Sequence, residues 1–392
     1  MTLKLSMIQI RKSLTAEGHM RHFELEVFFS KWEFKAKYHL TASDMESMSL
    51  SELMAMASEE ERKSFDNLWL GYTQTYGDPF LREEIAKTYD NMNSENILCF
   101  AGAEEGIYTA MRTLLTPEDH AIVVVPNYQA AETIPLSICD VTGVSLKEDN
   151  NWDLDIDEVI GALRPHTKLI SINFPNNPTG KIIPKDDLDR LVEVAREFGI
   201  YIFSDEVYRG IEAEDKRIPQ LADIYEKGIS LNVMSKAYGL PGLRIGWIAC
   251  QETELLAKFE RYKHFLTICN SGPSEILSII ALRNRDSILD RNRKLVSQNL
   301  EKLDNFFGEF PHLFEWKRPD GGAVAYPKHI GAKDCTEFCE DLINDTGVLL
   351  LPPSIYKSEL LPTPPDHFRI GFGRNCMDEM LDVFYHYLKK NR

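Results

Sequence analysis

Five side chains of different chemistry stand at the ends of strand-like runs. They are Asn177 in NFPNNPTG, Asp205 and Tyr208 in SDEVY, and Lys236 and Arg244 in MSKAYGLPGLRIGW. Asp205 follows Asn177 by 28 residues, Lys236 comes 31 residues later, and Arg244 a further eight on. An amide, a carboxylate, a phenol, an amine and a guanidinium are thereby set along the rim of one predicted sheet. Ligands of open α/β sheets collect there, beyond the carboxyl ends of the strands. Each segment alone has a plain structural reading. NNPTG is a turn signature, an Asp at a strand end commonly caps the next helix, and a lysine on a Gly-rich loop is ordinarily solvated. The order and spacing argue for more, because one cofactor makes sense of the whole set.

The elements that must carry these residues are legible in the hydrophobic pattern. From Ile97 onward, ILCFAG, AIVVVP, VTGVSL, KLISINF, IYIFSDE, ISLNVMSK and RIGWIAC read as strands, several of them apolar on both faces. Helices are predicted between them over 105–115, 185–198 and 252–266. This alternation points to an α/β fold whose mostly parallel sheet is covered by helices on both sides. Beyond residue 275 the chain turns helical, over 274–283 and a charged stretch at 290–307. A smaller α+β unit follows, with strand candidates GGAVAYP, VLLLPP and HFRIGF and a closing helix over 378–389. Residues 20–70 are polar and rich in Met and aromatics, with helix-like stretches at 23–32 and 50–57. The expected layout is a large domain over 60–275 and a smaller one built from both termini, 1–59 and 276–392.

Composition narrows the partners. The chain has 392 residues, 43% of them hydrophobic, and 44 Lys+Arg against 61 Asp+Glu give a net charge of −17. That surplus repels a phosphate backbone and an anionic leaflet, and no Lys/Arg run offsets it, so nucleic acid and membrane are not expected as partners. The seven cysteines are scattered with no C-x-x-C pair, so reduced thiols are expected and no metal site. No stretch approaches the ~18 apolar residues of a membrane span, and MTLKLSMIQIRKSL lacks the apolar centre of a signal peptide. The expected compartment is the cytoplasm.

In order and character, NNPTG, SDEVY and SKAYGLPGLRIGW resemble the motifs of the class I/II aminotransferases, the fold type I family of pyridoxal 5'-phosphate (PLP) enzymes. The likeness runs from about residue 65 to HFRIGFGR near 374. The resemblance implies PLP as cofactor, a large domain around a mostly parallel seven-stranded sheet, a small α+β domain, and a homodimer with shared active sites. Lys236 matches the lysine that forms a Schiff base with the cofactor and later moves the substrate's α-proton, and an amine does this only when deprotonated. Asp205 matches the carboxylate that keeps the pyridine nitrogen protonated. Tyr208 and Asn177 match the pair that hydrogen-bonds the phenolic oxygen, and Arg244 resembles the arginine that clamps the phosphate.

By the same resemblance, the backbone amides of Ala103 and Glu104, in GAEEG at the start of a predicted helix, bind the phosphate. The Glu104 carboxylate is then turned away from it. Tyr128 in PNYQ matches the aromatic that stacks on the pyridine ring. Tyr72 in GYTQTYGDP matches the tyrosine that reaches the other subunit's phosphate. Arg369 in HFRIGF matches the small-domain arginine that holds the substrate α-carboxylate, and nearby Arg374 reads as a surface residue. Two features depart from the family pattern. Val233 stands where many members carry Ser or Thr, leaving Ser235 as the nearest hydroxyl for the phosphate. YHLTASDMESM stands where many have a Gly-Pro turn.

The resemblance implies transamination between an L-amino acid and a 2-oxo acid. The residues named so far suit elimination or cyclisation on the same scaffold equally well. FELEVFFSKWEFKAKYHL, YKHFLTICNSGPSE and DCTEFCEDLINDTGVLLLPPSIY are similar to a cyclising subgroup, that of capreomycidine synthase. A third reading, a degenerate PLP-fold binding module, fits poorly with the presence of Lys236. The sequence assigns no arginine to the side-chain pocket, so a dicarboxylic substrate is not implied.

Overall fold

The computed structural model describes residues 20–391, so the opening stretch MTLKLSMIQIRKSL, with its missing signal-peptide centre, lies outside the described residues. Seven strands form the central sheet: β1 (Ile97–Phe100), β2 (His120–Val125), β3 (Asp140–Ser145), β4 (Thr167–Asn173), β5 (Tyr201–Asp205), β6 (Gly228–Val233) and β7 (Gly246–Cys250). Their order is β1-β7-β6-β5-β4-β2-β3. Only β7 runs against its neighbours, and every other pairing is parallel, as the apolar runs predict.

These strands are apolar on both faces because both faces are covered. Successive side chains of a strand point to opposite sides. Ile202 of β5 and Ile170 and Ile172 of β4 therefore join one core cluster, with Leu191 from a covering helix. Phe203 and Leu169 join another, with Ile107 and Met111. The longer helices are α1 (Glu24–Trp32), α2 (Ala103–Leu114), α3 (Lys185–Phe198), α4 (Thr253–Lys263), α5 (Gly272–Arg283), α6 (Arg285–Gly308), α7 (Cys335–Thr346) and α8 (Met377–Lys390). α3 coincides with its predicted span and stops at Gly199, whose φ of +68° suits the left-handed turn that ends a helix. The charged stretch at 290–307 falls within the longer α6.

Parallel pairing puts the chemistry-bearing strand ends side by side. Asn173 of β4 pairs with Asp205 of β5, and Asp205 with Leu231 of β6. The loops carrying Asn177, Asp205 and Lys236 therefore emerge from three neighbouring strands at one edge.

The two chain ends meet over that edge. Tyr38–His39 pairs in parallel with Val348–Leu349, and Val324–Ala325 pairs antiparallel with Ile370–Gly371. The last three of these two-residue strands lie within the predicted VLLLPP, GGAVAYP and HFRIGF. Gly371 lets the N-terminal segment cross closely: its N–H donates to Leu40 O at 2.8 Å, and a Cβ there would stand 1.9 Å from Ala42 O. The crossing carries residues 41–45 onto the Lys236 loop, where Met45 N donates to Lys236 O at 3.3 Å. Among the described residues no helix is long and apolar enough to cross a membrane.

Candidate active site

A cleft of about 810 Å3 opens at this edge, lined by Ala103, Glu104, Tyr128, Ser235, Lys236 and Arg244, with α1 and the segment 39–47 opposite. Lys236 follows β6 directly, and its Nζ donates to Ser43 Oγ at 2.7 Å. Burial lowers the Lys236 pKa, an effect reinforced by Arg369 and opposed by Asp44, Asp205 and Glu26. A lowered pKa is the direction a nucleophilic amine needs, because it enlarges the unprotonated fraction near neutrality.

Asp205 closes β5. Burial pushes its carboxyl up to about 6, against the opposing pull of the Val207 N–H and of Lys236. Val207 N donates to Asp205 Oδ1 at 3.2 Å, and among the described residues no cation lies within ion-pairing distance of that carboxylate. It is a buried acid that a protonated ring nitrogen would satisfy. The Tyr208 hydroxyl is likewise buried with no hydrogen-bond partner among the described residues, and burial pushes the phenol well above its ordinary pKa. Asn177 Oδ1 accepts from Arg369 Nη1 at 3.1 Å and from Tyr356 Oη at 2.9 Å.

The anion end of the cleft is built from a helix start and one arginine. α2 begins at Gly102, whose φ is +98° and which offers no capping side chain, so the first N–H groups of the helix are left for an anion. The Arg244 guanidinium packs directly on this turn, since a Cβ on Gly102 would lie 2.5 Å from Arg244 Nη2. Gly246 presses on the same turn: its Cβ would lie 2.9 Å from Ala103 N. Val233 and Ser235 both line the cleft, so the missing family hydroxyl at 233 leaves an apolar wall beside a polar one. Amine, unpaired buried carboxylate, partnerless phenol and anion cradle together fit PLP. Lys236 would hold its carbonyl carbon, Asp205 its ring nitrogen, Tyr208 and Asn177 its phenolic oxygen, and the α2 amides with Arg244 its phosphate.

Tyr128 lines the cleft with its ring 5.2 Å from that of Phe23. Beside it Glu104 is not a solvated first-turn acid. Its Oε2 is buried without a partner among the described residues, and burial raises its carboxyl to about 7 against the pull of the Tyr128 hydroxyl, with Glu26 and Asp205 adding to the rise.

Arg369 is 1% exposed. Its Nη1 donates to Tyr356 Oη at 2.8 Å and its Nη2 to Thr41 O at 2.6 Å, while its Nε is buried with no partner. Arg374, read from the sequence as a surface residue, is instead half-buried in the cleft wall. Its Nη2 lies 2.9 and 3.0 Å from the two Asp44 oxygens. The reason is the crossing of the N-terminal segment, which brings Asp44 to a position that sequence distance hides. Tyr72 lies outside the cleft of its own chain, 92% exposed beside Trp69 and Leu70.

Sequence reasoning missed Thr41, Ser43, Asp44, Glu26 and Tyr356. No local signal marks them, because a short polar stretch such as HLTASD is also what an ordinary linker between two helices looks like.

Residues 36–388 match the profile of the family described as aminotransferase class I and II. Capreomycidine synthase of Streptomyces vinaceus is 24% identical over 355 residues, covering 89% of this chain and 88% of that protein. Aspartate aminotransferase of Thermotoga maritima is 28% identical over 327 residues, 79% of this chain and 81% of that one. The crystal structure of a PLP-dependent aminotransferase from Streptococcus suis 89-1591 superposes with a TM-score of 0.88 at 30% identity, covering 95% of this chain and 98% of its own. Matched over most of its length and sharing the α/β architecture, the chain belongs to the class I and II aminotransferases of fold type I, enzymes that use PLP.

Proposed function

We propose that the enzyme moves an amino group between an L-amino acid and a 2-oxo acid with Lys236 as its catalytic base. The observation that carries this reading is an amine of lowered pKa, Lys236, beside a buried carboxylate, Asp205, that no protein cation neutralises. When bound, PLP supplies a ring that stabilises the charge left on the substrate Cα as its proton departs.

The chain's own residues do the rest. Lys236 Nζ would take the Cα proton and deliver it two bonds away, on the far side of the amino nitrogen, with Ser43 Oγ restraining its swing. Arg369 has a free Nε and no carboxylate partner among the described residues, so it receives the α-carboxylate and fixes the direction of the Cα–H bond. Asp205 holds the ring nitrogen's proton.

The test mixes the PLP-loaded enzyme with a panel of L-amino acids. Absorbance follows amino transfer to the cofactor, and 2-oxo acid release is assayed. If every amino acid instead yields ammonia or a cyclised product, transamination is wrong. The extent of the match to capreomycidine synthase favours that second reading, elimination or cyclisation.

Three further assignments belong to this proposal. The enzyme is a homodimer: Trp69, Leu70, Tyr72 and Phe265 are all more than 80% exposed, and Thr73 Oγ1 ties the first segment to the second through Asn270 O at 2.8 Å. An apolar surface of this kind suits a subunit contact, with Tyr72 reaching the phosphate of the second copy. The chain divides near residues 60 and 275 into a large domain and a small one made of both ends. Seven free cysteines support a reducing compartment, the cytoplasm.

A further inference from the structure

The charges of the cleft do not balance around an acidic substrate. Of the cations that line it or stand beside it, Lys236 is assigned to the cofactor's carbonyl carbon, Arg244 to the phosphate and Arg369 to the α-carboxylate, while Arg374 is neutralised by Asp44. Three acids remain. Glu26 and Glu33 come from α1 and its end, on the face that also presents Phe29 to the cleft, and Glu104 comes from α2 across the cleft. None of the three forms an ion pair among the described residues. The most built of them is Glu104, whose Oε2 is buried and accepts no hydrogen bond.

We propose that Glu104 and Glu26 select an L-amino acid whose side chain ends in a cation, an ammonium or a guanidinium, and disfavour dicarboxylic substrates. The inference rests on the transaminase reading and deepens it. The rings of Phe23, Phe29 and Tyr128, which line the same cleft, suit the methylene stem of such a side chain and the face of its cation. A second carboxylate on the substrate would instead enter a wall that already carries uncompensated negative charge, a repulsion that sharpens specificity. The perturbed titration agrees. Glu104 is raised to about 7 by burial, against the pull of the Tyr128 hydroxyl, with Glu26 and Asp205 adding to the rise. Glu26 is raised by burial and Glu33, although Lys236 and Arg244 pull it back.

The test loads the enzyme with PLP and compares single-turnover amino transfer from L-lysine, L-ornithine and L-arginine with that from L-norleucine and L-glutamate. A cationic donor is expected to react at least tenfold more efficiently than norleucine, and glutamate least of all. Lysine and ornithine against arginine decide between ammonium and guanidinium. A readout independent of turnover is calorimetric binding of 5-guanidinopentanoate against hexanoate, with the same tenfold margin expected. Glu104→Gln should shrink both margins about tenfold, and Glu26→Gln, on a surface helix, should shrink them in the same direction if the first variant loses cofactor. Norleucine or glutamate reacting as well as the cationic donors overturns this inference alone. So do margins untouched by both variants. If no amino acid donates at all, the transaminase reading falls, and the calorimetric margin then decides by itself whether the cation selectivity stands.

Discussion

The two walls of the cleft are made differently. The floor is assembled from the ends of β4, β5 and β6, where Asn177, Asp205 and Lys236 are fixed by the parallel register of three neighbouring strands. The opposite wall, from Phe23 to Asp44, is held by packing between chain ends: a two-residue strand pair, the Gly371 N–H on Leu40 O, and Arg374 on Asp44. A strand end inside a seven-stranded sheet cannot shift without breaking its neighbours' hydrogen bonds, whereas a segment held by a few local ties can vary in length and sequence. The floor is therefore the place for the chemistry assigned to Lys236 and Asp205, and the wall is the place where substrate preference can be set.

The largest effect should come from the floor. Lys236→Ala removes both the covalent attachment point and the proton carrier, and amino transfer should fall by about 10^4-fold or more. Single-turnover absorbance measures it. Retention of more than a hundredth of the rate would mean that another base serves, and the contrast between floor and wall would fail at its strongest point.

Arg369 sits where the two regions join, bonded to Asn177 of the floor and to Thr41 of the wall. Arg369→Ala removes a buried cation meant for the α-carboxylate, and KM for amino acids should rise by about 100-fold with a smaller change in kcat. PLP absorbance should be retained. Loss of cofactor instead would assign this arginine to the floor's own integrity.

The same contrast explains what the sequence disclosed. Strands read correctly because burial on both faces makes them continuous apolar runs, and Asp205, Lys236 and Arg244 stood out as candidates because their motifs follow strand ends, which the parallel register brings to one cleft. α3 matched to the residue because Gly199 stops it. Arg374 misled because its partner, Asp44, is 330 residues away in the chain and meets it only through the crossing at Gly371. Ser43 and Glu26 were invisible for the same reason: their neighbours are spatial. Glu104 was read from the sequence only as a backbone donor, and no local pattern separates a solvated first-turn acid from one that lines a cleft with a buried carboxyl.

A wall residue should tune rather than abolish. Ser43→Ala deletes the single hydrogen bond on Lys236 Nζ, formed at 2.7 Å. Neutral partners contribute about 1 kcal/mol, so kcat should change by about three- to tenfold. The pH profile is the sharper readout. With one restraint on the amine gone and its burial unchanged, the rate's dependence on pH should keep its shape, and a profile displaced by a full unit would show that Ser43 sets the amine's pKa.

The smallest effect is a stability difference whose sign is fixed by Glu104. Its carboxyl titrates at about 7 in the folded cleft against 4.5 for the unperturbed group, chiefly because burial penalises the anion. An acid whose pKa is raised by folding costs nothing below the unfolded value, where both states are protonated. The cost grows as pH climbs from 4.5 to 7 and is complete above the folded pKa. Glu104→Gln should accordingly leave the melting temperature nearly unchanged at about pH 4.5 and raise it by about 1–2 °C at about pH 8, measured by calorimetry on protein without substrate. A cleft residue that destabilises the resting enzyme is the pattern expected of a group kept for binding. If Gln proves no more stable than Glu at that higher pH, the carboxylate is already satisfied within the chain, and Glu104 belongs with the structural half of the molecule.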